Sequence, residues 1–258
     1  MKIVVLGGRG LIGAKTVEIL RKKGHDVTAA STKSGVNSVT GEGLADALKG
    51  ANVVIDLTNS PSFEDEPAMT FFENSTRNLL STSLDAGVKH LVALSVVGTA
   101  RLQKSGYFRA KQKQEDLIKQ GKVPYTIVQA TQFFEFVGGI ADFSMRDDEC
   151  YLSTANTQPM SADDVAEIMA DVALSQPLNG TLEVGGPDCV KISDIVSQFL
   201  RAKNDKRKTV ASAEAPYFGL VLQENDLVPA GGARLSHTKF EDWLKAALTS
   251  GVAISSGH

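Results

Sequence analysis

Tyr107 and Lys111 lie four residues apart, so on a helix they share one face. Ser95 stands twelve residues before the tyrosine, where an apolar run ends. A phenol has a reference pKa of about 10 and is a poor base at neutral pH. An adjacent ammonium favours the phenolate and brings it toward the working range, which lets a tyrosine exchange a proton with a substrate oxygen. A serine hydroxyl nearby can donate to charge developing on that oxygen. The null alternative is a tyrosine that covers a sheet edge and a lysine that points to water. Position decides between the two, because a Tyr-x-x-x-Lys pair is common by chance.

A second constellation opens the chain. Gly7, Gly8, Gly10 and Gly13 follow the apolar run Lys2–Leu6 and lead into helix-forming residues from Leu11. They satisfy G-x-G-x-x-G from Gly8 and G-x-x-G-x-x-G from Gly7. Glycines so placed allow a sharp turn, close approach of a pyrophosphate and tight helix–strand packing. The phosphates would lie on free amides at the positive end of the helix, at Gly7, Gly8, Arg9, Gly10, Leu11, Ile12 and Gly13. A dinucleotide whose adenosine ribose keeps its 2′-hydroxyl meets an acidic residue at the end of the second strand. Here the chain reads Ala29-Ala30-Ser31-Thr32-Lys33. Ser31 and Thr32 can donate hydrogen bonds, and Lys33 and Arg9 can supply positive charge, so NADP(H) is expected over NAD(H).

The elements that must position these residues alternate. Strands are expected at Lys2–Leu6, Asp26–Ala30, Ala51–Leu57, Val88–Leu94 and Tyr125–Gln129. Helices are expected from Leu11 to about Lys23, and at Gly43–Gly50, Glu64–Ala86 and Tyr107–Gln120. Such alternation predicts an α/β chain with a Rossmann-like, doubly wound parallel sheet. Its carboxyl edge would gather Gly7–Gly13, Ser31–Lys33, Thr58–Ser60, Ser95–Gly98 and Gln129–Gln132, with Thr58 and Asn59 as further cofactor contacts. The division expected is a dinucleotide-binding core over residues 1–130 and a smaller C-terminal substrate lobe over 131–258. In the latter, Thr131, Phe133 and Phe134 are candidate pocket residues, although packing is the expected job of at least one phenylalanine. Ser161-Ala-Asp-Asp164, Ser193 and Thr238-Lys-Phe-Glu241 read as helix starts. Lys203–Lys208 reads as a solvated basic linker.

Composition bounds the rest. The chain has 258 residues, is 42% hydrophobic and carries a net charge of −3, which gives no general attraction to nucleic acid or an anionic membrane. No apolar run is long enough to span a bilayer, and the N-terminus reads as a strand rather than a signal peptide, so a cytoplasmic protein is expected. Cys150 and Cys189 read as ordinary thiols, and the four scattered histidines suggest no metal site. The closing Ser256-Gly257-His258 is given no weight. The oligomeric state, monomer or homodimer, stays open.

The chain resembles an atypical short-chain dehydrogenase/reductase, close to the NmrA-like, NAD(P)-binding group. The residues that carry the likeness are Gly7–Gly13, Ser95, the Tyr107/Lys111 pair, Gln129-Ala-Thr-Gln-Phe-Phe-Glu135, Pro159–Val165 and Phe240-Glu-Asp-Trp-Leu244. The resemblance implies hydride transfer between a nicotinamide and a small carbonyl, alcohol or quinone-like substrate. Tyr107 would be the acid/base, Lys111 would hold the ribose and lower the tyrosine's pKa, and Ser95 would orient the substrate oxygen. Where typical members of the wider family carry an Asn-Asn-Ala-Gly stretch, this chain has Asp56-Leu-Thr-Asn59. Some relatives are non-catalytic NADP(H)-sensing regulators, and that reading stands as the alternative. A nucleotide-sugar epimerase or dehydratase is disfavoured by the short chain.

Overall fold

The structure is a computed structural model that describes residues 1–250, so Ser256-Gly257-His258 lies outside the described residues. Two compact units emerge. The first comprises Met1–Ala130 and Val165–Leu182, the second Thr131–Asp164 and the chain from Glu183 onward. The return of the chain to the first unit at Val165 has no signal in the sequence rhythm.

The first unit is built from β1 (Lys2–Leu6), α1 (Leu11–Lys22), β2 (Asp26–Ala30), α2 (Leu44–Leu48), β3 (Val53–Asp56), α3 (Asp65–Asp85), β4 (His90–Val96), α4 (Gly106–Gln120) and β5 (Tyr125–Ala130). Ile3, Val4, Val5 and Leu6 are all buried, as are all four residues of β3. Strands that are apolar on both faces need cover on both faces, which fits parallel pairing with helical crossovers. β1 pairs in parallel with β2 and β3, and β3–β4 and β4–β5 are parallel too. Helix patterning follows the same logic. Ile12, Thr16, Val17 and Leu20 of α1 are buried, and Leu44, Leu48, Leu79 and Ile118 from three other helices join Val4, Leu6, Val54, Leu91 and Ile127 in one core cluster.

Further along are α5 (Val137–Phe143), β6 (Met145–Arg146), β7 (Glu149–Ser153), β8 (Asn156–Thr157), α6 (Ala162–Leu174), β9 (Gly180–Gly185), β10 (Val190–Lys191), α7 (Ile192–Ala202), β11 (Lys208–Ser212), β12 (Arg234–Leu235) and α8 (Phe240–Ser250). A seven-stranded sheet has the order β12-β9-β5-β4-β3-β1-β2, so the Rossmann-like α/β fold expected from the alternation is what forms. In the second unit β7 pairs with β6 antiparallel and with β11 parallel, and β8 pairs with β10. Among the described residues no helix is long and apolar enough to cross a membrane, and no group of three or more His, Cys, Asp or Glu could hold a metal ion.

Three local expectations need correction. Ser161 does cap α6, its hydroxyl accepting the Asp164 N–H at 3.0 Å. Ser193, by contrast, lies inside the first turn of α7, whose N-cap is Lys191. Thr238 spends its hydroxyl on Asp164 Oδ1 at 2.8 Å instead of closing a capping box on Glu241. In the basic run Lys203, Lys206 and Lys208 are exposed as expected, and Arg207 is the exception. Arg207 forks onto Asp205 and donates to Asp142 at 2.7 Å, and Lys208 begins β11.

His90 opens β4 as a buried side chain, its Nε2 2.9 Å from Thr126 Oγ1. Burial pushes its pKa down to about 4. Between that value and the ordinary 6.5, the unfolded chain binds more protons than the folded one, so stability is retained above pH 6.5 and is lost as pH falls. Urea unfolding at pH 7.5 and 5.5 should differ by about 1.3 kcal/mol from this group, and His90→Gln should remove that difference. An unchanged pH slope in the variant would contradict the assignment.

Candidate functional site

The glycine loop shows why its residues are small. A Cβ on Gly13 would lie 2.1 Å from the Gly7 carbonyl oxygen, and Gly7 itself has φ +72°. The Gly10 N–H donates to the Gly7 oxygen at 2.9 Å, and the first bond of α1 runs from Ala14 N–H to Gly10 O at 3.0 Å. Gly10 is the N-cap, no side chain caps the helix, and its first turn holds no acidic residue. The opening amides therefore have only an external anion as a strong partner. A pyrophosphate fits that donor set. Leu11 is exposed while Ile12 is buried.

At the end of β2, Thr32–Ser34 forms one short turn, with Ser34 Oγ accepting the Ser31 N–H at 2.9 Å. Ser31 Oγ is buried and has no hydrogen-bond partner. Thr32, Lys33 and Arg9 are exposed. Thr58 turns inward, its N–H and hydroxyl both donating to Asp56 Oδ1 at 3.0 and 2.7 Å.

The three candidate catalytic residues are placed differently from one another. The Tyr107 hydroxyl donates to Asn59 Oδ1 at 3.0 Å. Its ring touches Phe63, Phe72 and Phe108 at centroid distances of 5.1, 5.9 and 5.8 Å. Burial raises its pKa, against a smaller opposing effect of the Asn59 bond, so the phenol stays protonated. Ser95 is turned to α4, donating to Glu115 Oε1 at 2.6 Å. Glu115 also accepts Gln129 Nε2 at 2.7 Å and Lys119 Nζ at 3.0 Å. Lys111 is buried at 2% exposure. Its ammonium donates to the Leu94 carbonyl at 2.9 Å and to Gln114 Oε1, and lies 4.5 Å from the Phe72 ring centroid. Burial brings its pKa down to about 8, although Asp56 and Glu115 pull the other way. Tyr107 and Lys111 thus both contact the Phe72 ring, while Ser95 belongs to the Glu115 cluster.

In the second unit Thr131 and Phe134 are committed to packing. Thr131 donates to the Gln158 carbonyl at 2.6 Å, and Phe134 is buried against Phe240 and Trp243. Phe133 stacks on Phe136 at 5.6 Å.

Sequence reasoning missed Asp56, Gln114 and Glu115. Gln114 Nε2 donates to Asp56 Oδ2 at 3.0 Å while its carbonyl receives Lys111, so one amide joins a buried carboxylate to a buried ammonium. The available signal was three polar residues at 111, 114 and 115, on the α4 face that also carries Ile118.

Comparison with known proteins places the chain. A family model described as NAD(P)H-binding matches residues 7–176. The photosystem II assembly factor Ycf39 of a Synechocystis strain is 23% identical over 221 residues, covering 76% of this chain and 68% of that one. A dTDP-4-dehydrorhamnose reductase from Clostridium acetobutylicum superposes with TM-score 0.72 at 18% identity, covering 98% of this chain and all (100%) of the other. A UDP-glucose 4-epimerase of Thermus thermophilus, solved with NAD, gives 0.72 at 16% identity over 98% and 100%. These likenesses establish a shared fold.

Gln114→Leu should strip a partner from both Asp56 and Lys111 and cost roughly 2–4 kcal/mol in urea unfolding. Combined with Asp56→Asn it should cost clearly less than the sum of the two single changes. Strict additivity would show that the two contacts are independent.

Proposed function

Since the chain belongs to the NAD(P)H-binding family, we propose that it is an NADP(H)-dependent oxidoreductase of the short-chain dehydrogenase/reductase type, acting on a small carbonyl or quinone-like compound. When bound, the nicotinamide supplies or accepts the hydride. The glycine loop holds the pyrophosphate on the amides from Leu11 onward. Ser31, Thr32, Lys33 and Arg9 receive the 2′-phosphate, helped by the exposure of Thr32, Lys33 and Arg9 and by the lack of a carboxylate at the end of β2.

The observation that carries the reading is the Tyr107 hydroxyl, protonated and already donating to an acceptor oxygen, Asn59 Oδ1. In reduction, a substrate carbonyl oxygen takes the place of Asn59 Oδ1 and receives the phenol proton as the alcohol forms. The phenolate left behind is stabilised by the charge of Lys111, which also contacts Phe72. Ser95 assists only after its hydroxyl leaves Glu115.

A second reading has its own support. Ser95 and Lys111 both have their donors committed within the protein, as suits an NADP(H)-sensing regulator that turns nothing over. NADPH oxidation followed across a panel of carbonyls and quinones separates the two. Tyr107→Phe should lower kcat at least ~100-fold and leave NADPH affinity within about twofold. Retained turnover in the variant refutes the tyrosine as proton donor. NADPH should bind at least ~tenfold more tightly than NADH, a difference of about 1.4 kcal/mol. Lys33→Glu should bring the ratio near one in parallel titrations. Equal affinities in the wild type would discard the preference.

A further inference from the structure

A carbonyl that takes a proton from one donor reacts faster when a second donor holds the same oxygen. Around Tyr107 most candidates for that second donor are already committed. Ser95 has one hydroxyl proton, and it lies on Glu115 Oε1 at 2.6 Å in a residue only 3% exposed. The buried Lys111 ammonium donates to the Leu94 carbonyl and to Gln114. The Thr58 hydroxyl donates to Asp56.

Asn59 differs from all three. Its carboxamide carries two N–H groups besides the oxygen that accepts the Tyr107 hydroxyl at 3.0 Å. Among the described residues its side chain makes no other hydrogen bond, and the residue is exposed. The backbone beneath it is anchored on both sides. Thr58 gives its N–H and hydroxyl to Asp56 Oδ1 at 3.0 and 2.7 Å, and the buried Ser60 accepts the Ser62 N–H at 3.2 Å. A half-turn of the amide about its Cβ–Cγ bond exchanges Nδ2 for Oδ1 with almost no change of volume. The turn gives up only the phenol contact and puts an N–H where the acceptor oxygen stood. A fixed base with one free rotation suits a donor that must meet an oxygen at a set place.

We infer that Asn59 is a catalytic residue, whose amide turns as the substrate arrives and donates an N–H to the carbonyl oxygen that takes the Tyr107 proton. The inference rests on Tyr107 as the proton donor. Without substrate, Oδ1 holds the phenol. Once a carbonyl oxygen accepts the phenol instead, Oδ1 beside it would repel it, and the half-turn replaces that repulsion with a hydrogen bond. The bond strengthens as negative charge grows on the oxygen, so its effect falls on kcat more than on KM. The phenol supplies the proton and the reduced nicotinamide the hydride, while the amide keeps both of its protons.

Infrared spectra of cyclohexanone bound to the full chain with NADP⁺ test the donor apart from turnover, because NADP⁺ has no hydride to give. The wild-type carbonyl band should lie below that of the free ketone, lowered by both donors. It should return part of the way in Tyr107→Phe and in Asn59→Leu. Asn59→Asp keeps the size and the acceptor but, at neutral pH, has no proton to donate, so its band should follow that of Asn59→Leu. A residue that merely holds the phenol would be replaced well by aspartate. A band at the wild-type position in Asn59→Asp and Asn59→Leu, or no lowered band in wild type, would overturn the inference. With NADPH and a carbonyl that the wild type reduces, Asn59→Asp should lower kcat about 100-fold and leave KM within about threefold. Asn59→Gln, a longer amide, should recover part of the loss. Full kcat in Asn59→Asp would also overturn the inference. Failure of the wild type to oxidise NADPH with any carbonyl, while the band lowered by both donors is present, would refute the reductase reading and leave the donor pair standing.

Discussion

The contact between the Gly7 carbonyl and the backbone of Gly13 constrains everything built on the first unit. The 2.1 Å that a Cβ would reach is far inside any tolerable separation, so the turn after β1 closes only with glycine at 13. That closure aims the first turn of α1 outward with no side-chain cap and no nearby carboxylate. The same backbone economy that lets helix pack on strand leaves a set of amides with no side-chain cap, a donor set that a phosphate fits.

A second linkage carries geometry from that turn to the tyrosine. Asp56 ends β3, holds Thr58 through two hydrogen bonds, and through Gln114 reaches Lys111 on α4. Asn59, the next residue, receives the Tyr107 hydroxyl. The loop after β3 and the face of α4 are therefore tied twice, once by buried charge across an amide and once by the phenol. Burying an ammonium and a carboxylate is expensive, and chains keep such arrangements where placement matters more than stability. Lys111 and Tyr107 both contact the Phe72 ring.

The parallel core was legible because its physics is local. Five apolar runs alternating with amphipathic stretches determine strand, crossover and buried face together, and Gly7–Gly13 can be understood from spacing alone. The position of Tyr107 at the start of α4 was legible from the strand–helix rhythm. The partners of Ser95 and Lys111 were not, since Glu115 and Gln114 look on paper like ordinary helix-surface residues. Only the packing of α4 on the sheet buries them. The later helix starts at Ser193 and Thr238 misled because a hydroxyl near a helix start serves whichever partner tertiary structure brings, as Asp164 does for Thr238. The short strands after residue 131 carry too few residues for a period to be visible.

The most direct test of the account is a crystal structure of the protein with NADP⁺ bound. The account predicts that the pyrophosphate oxygens accept from the amides at the start of α1, that the 2′-phosphate lies among Ser31, Thr32 and Lys33, and that the nicotinamide ring reaches the Tyr107 hydroxyl. A nucleotide bound away from the glycine turn, or one whose nicotinamide points away from Tyr107, would contradict it.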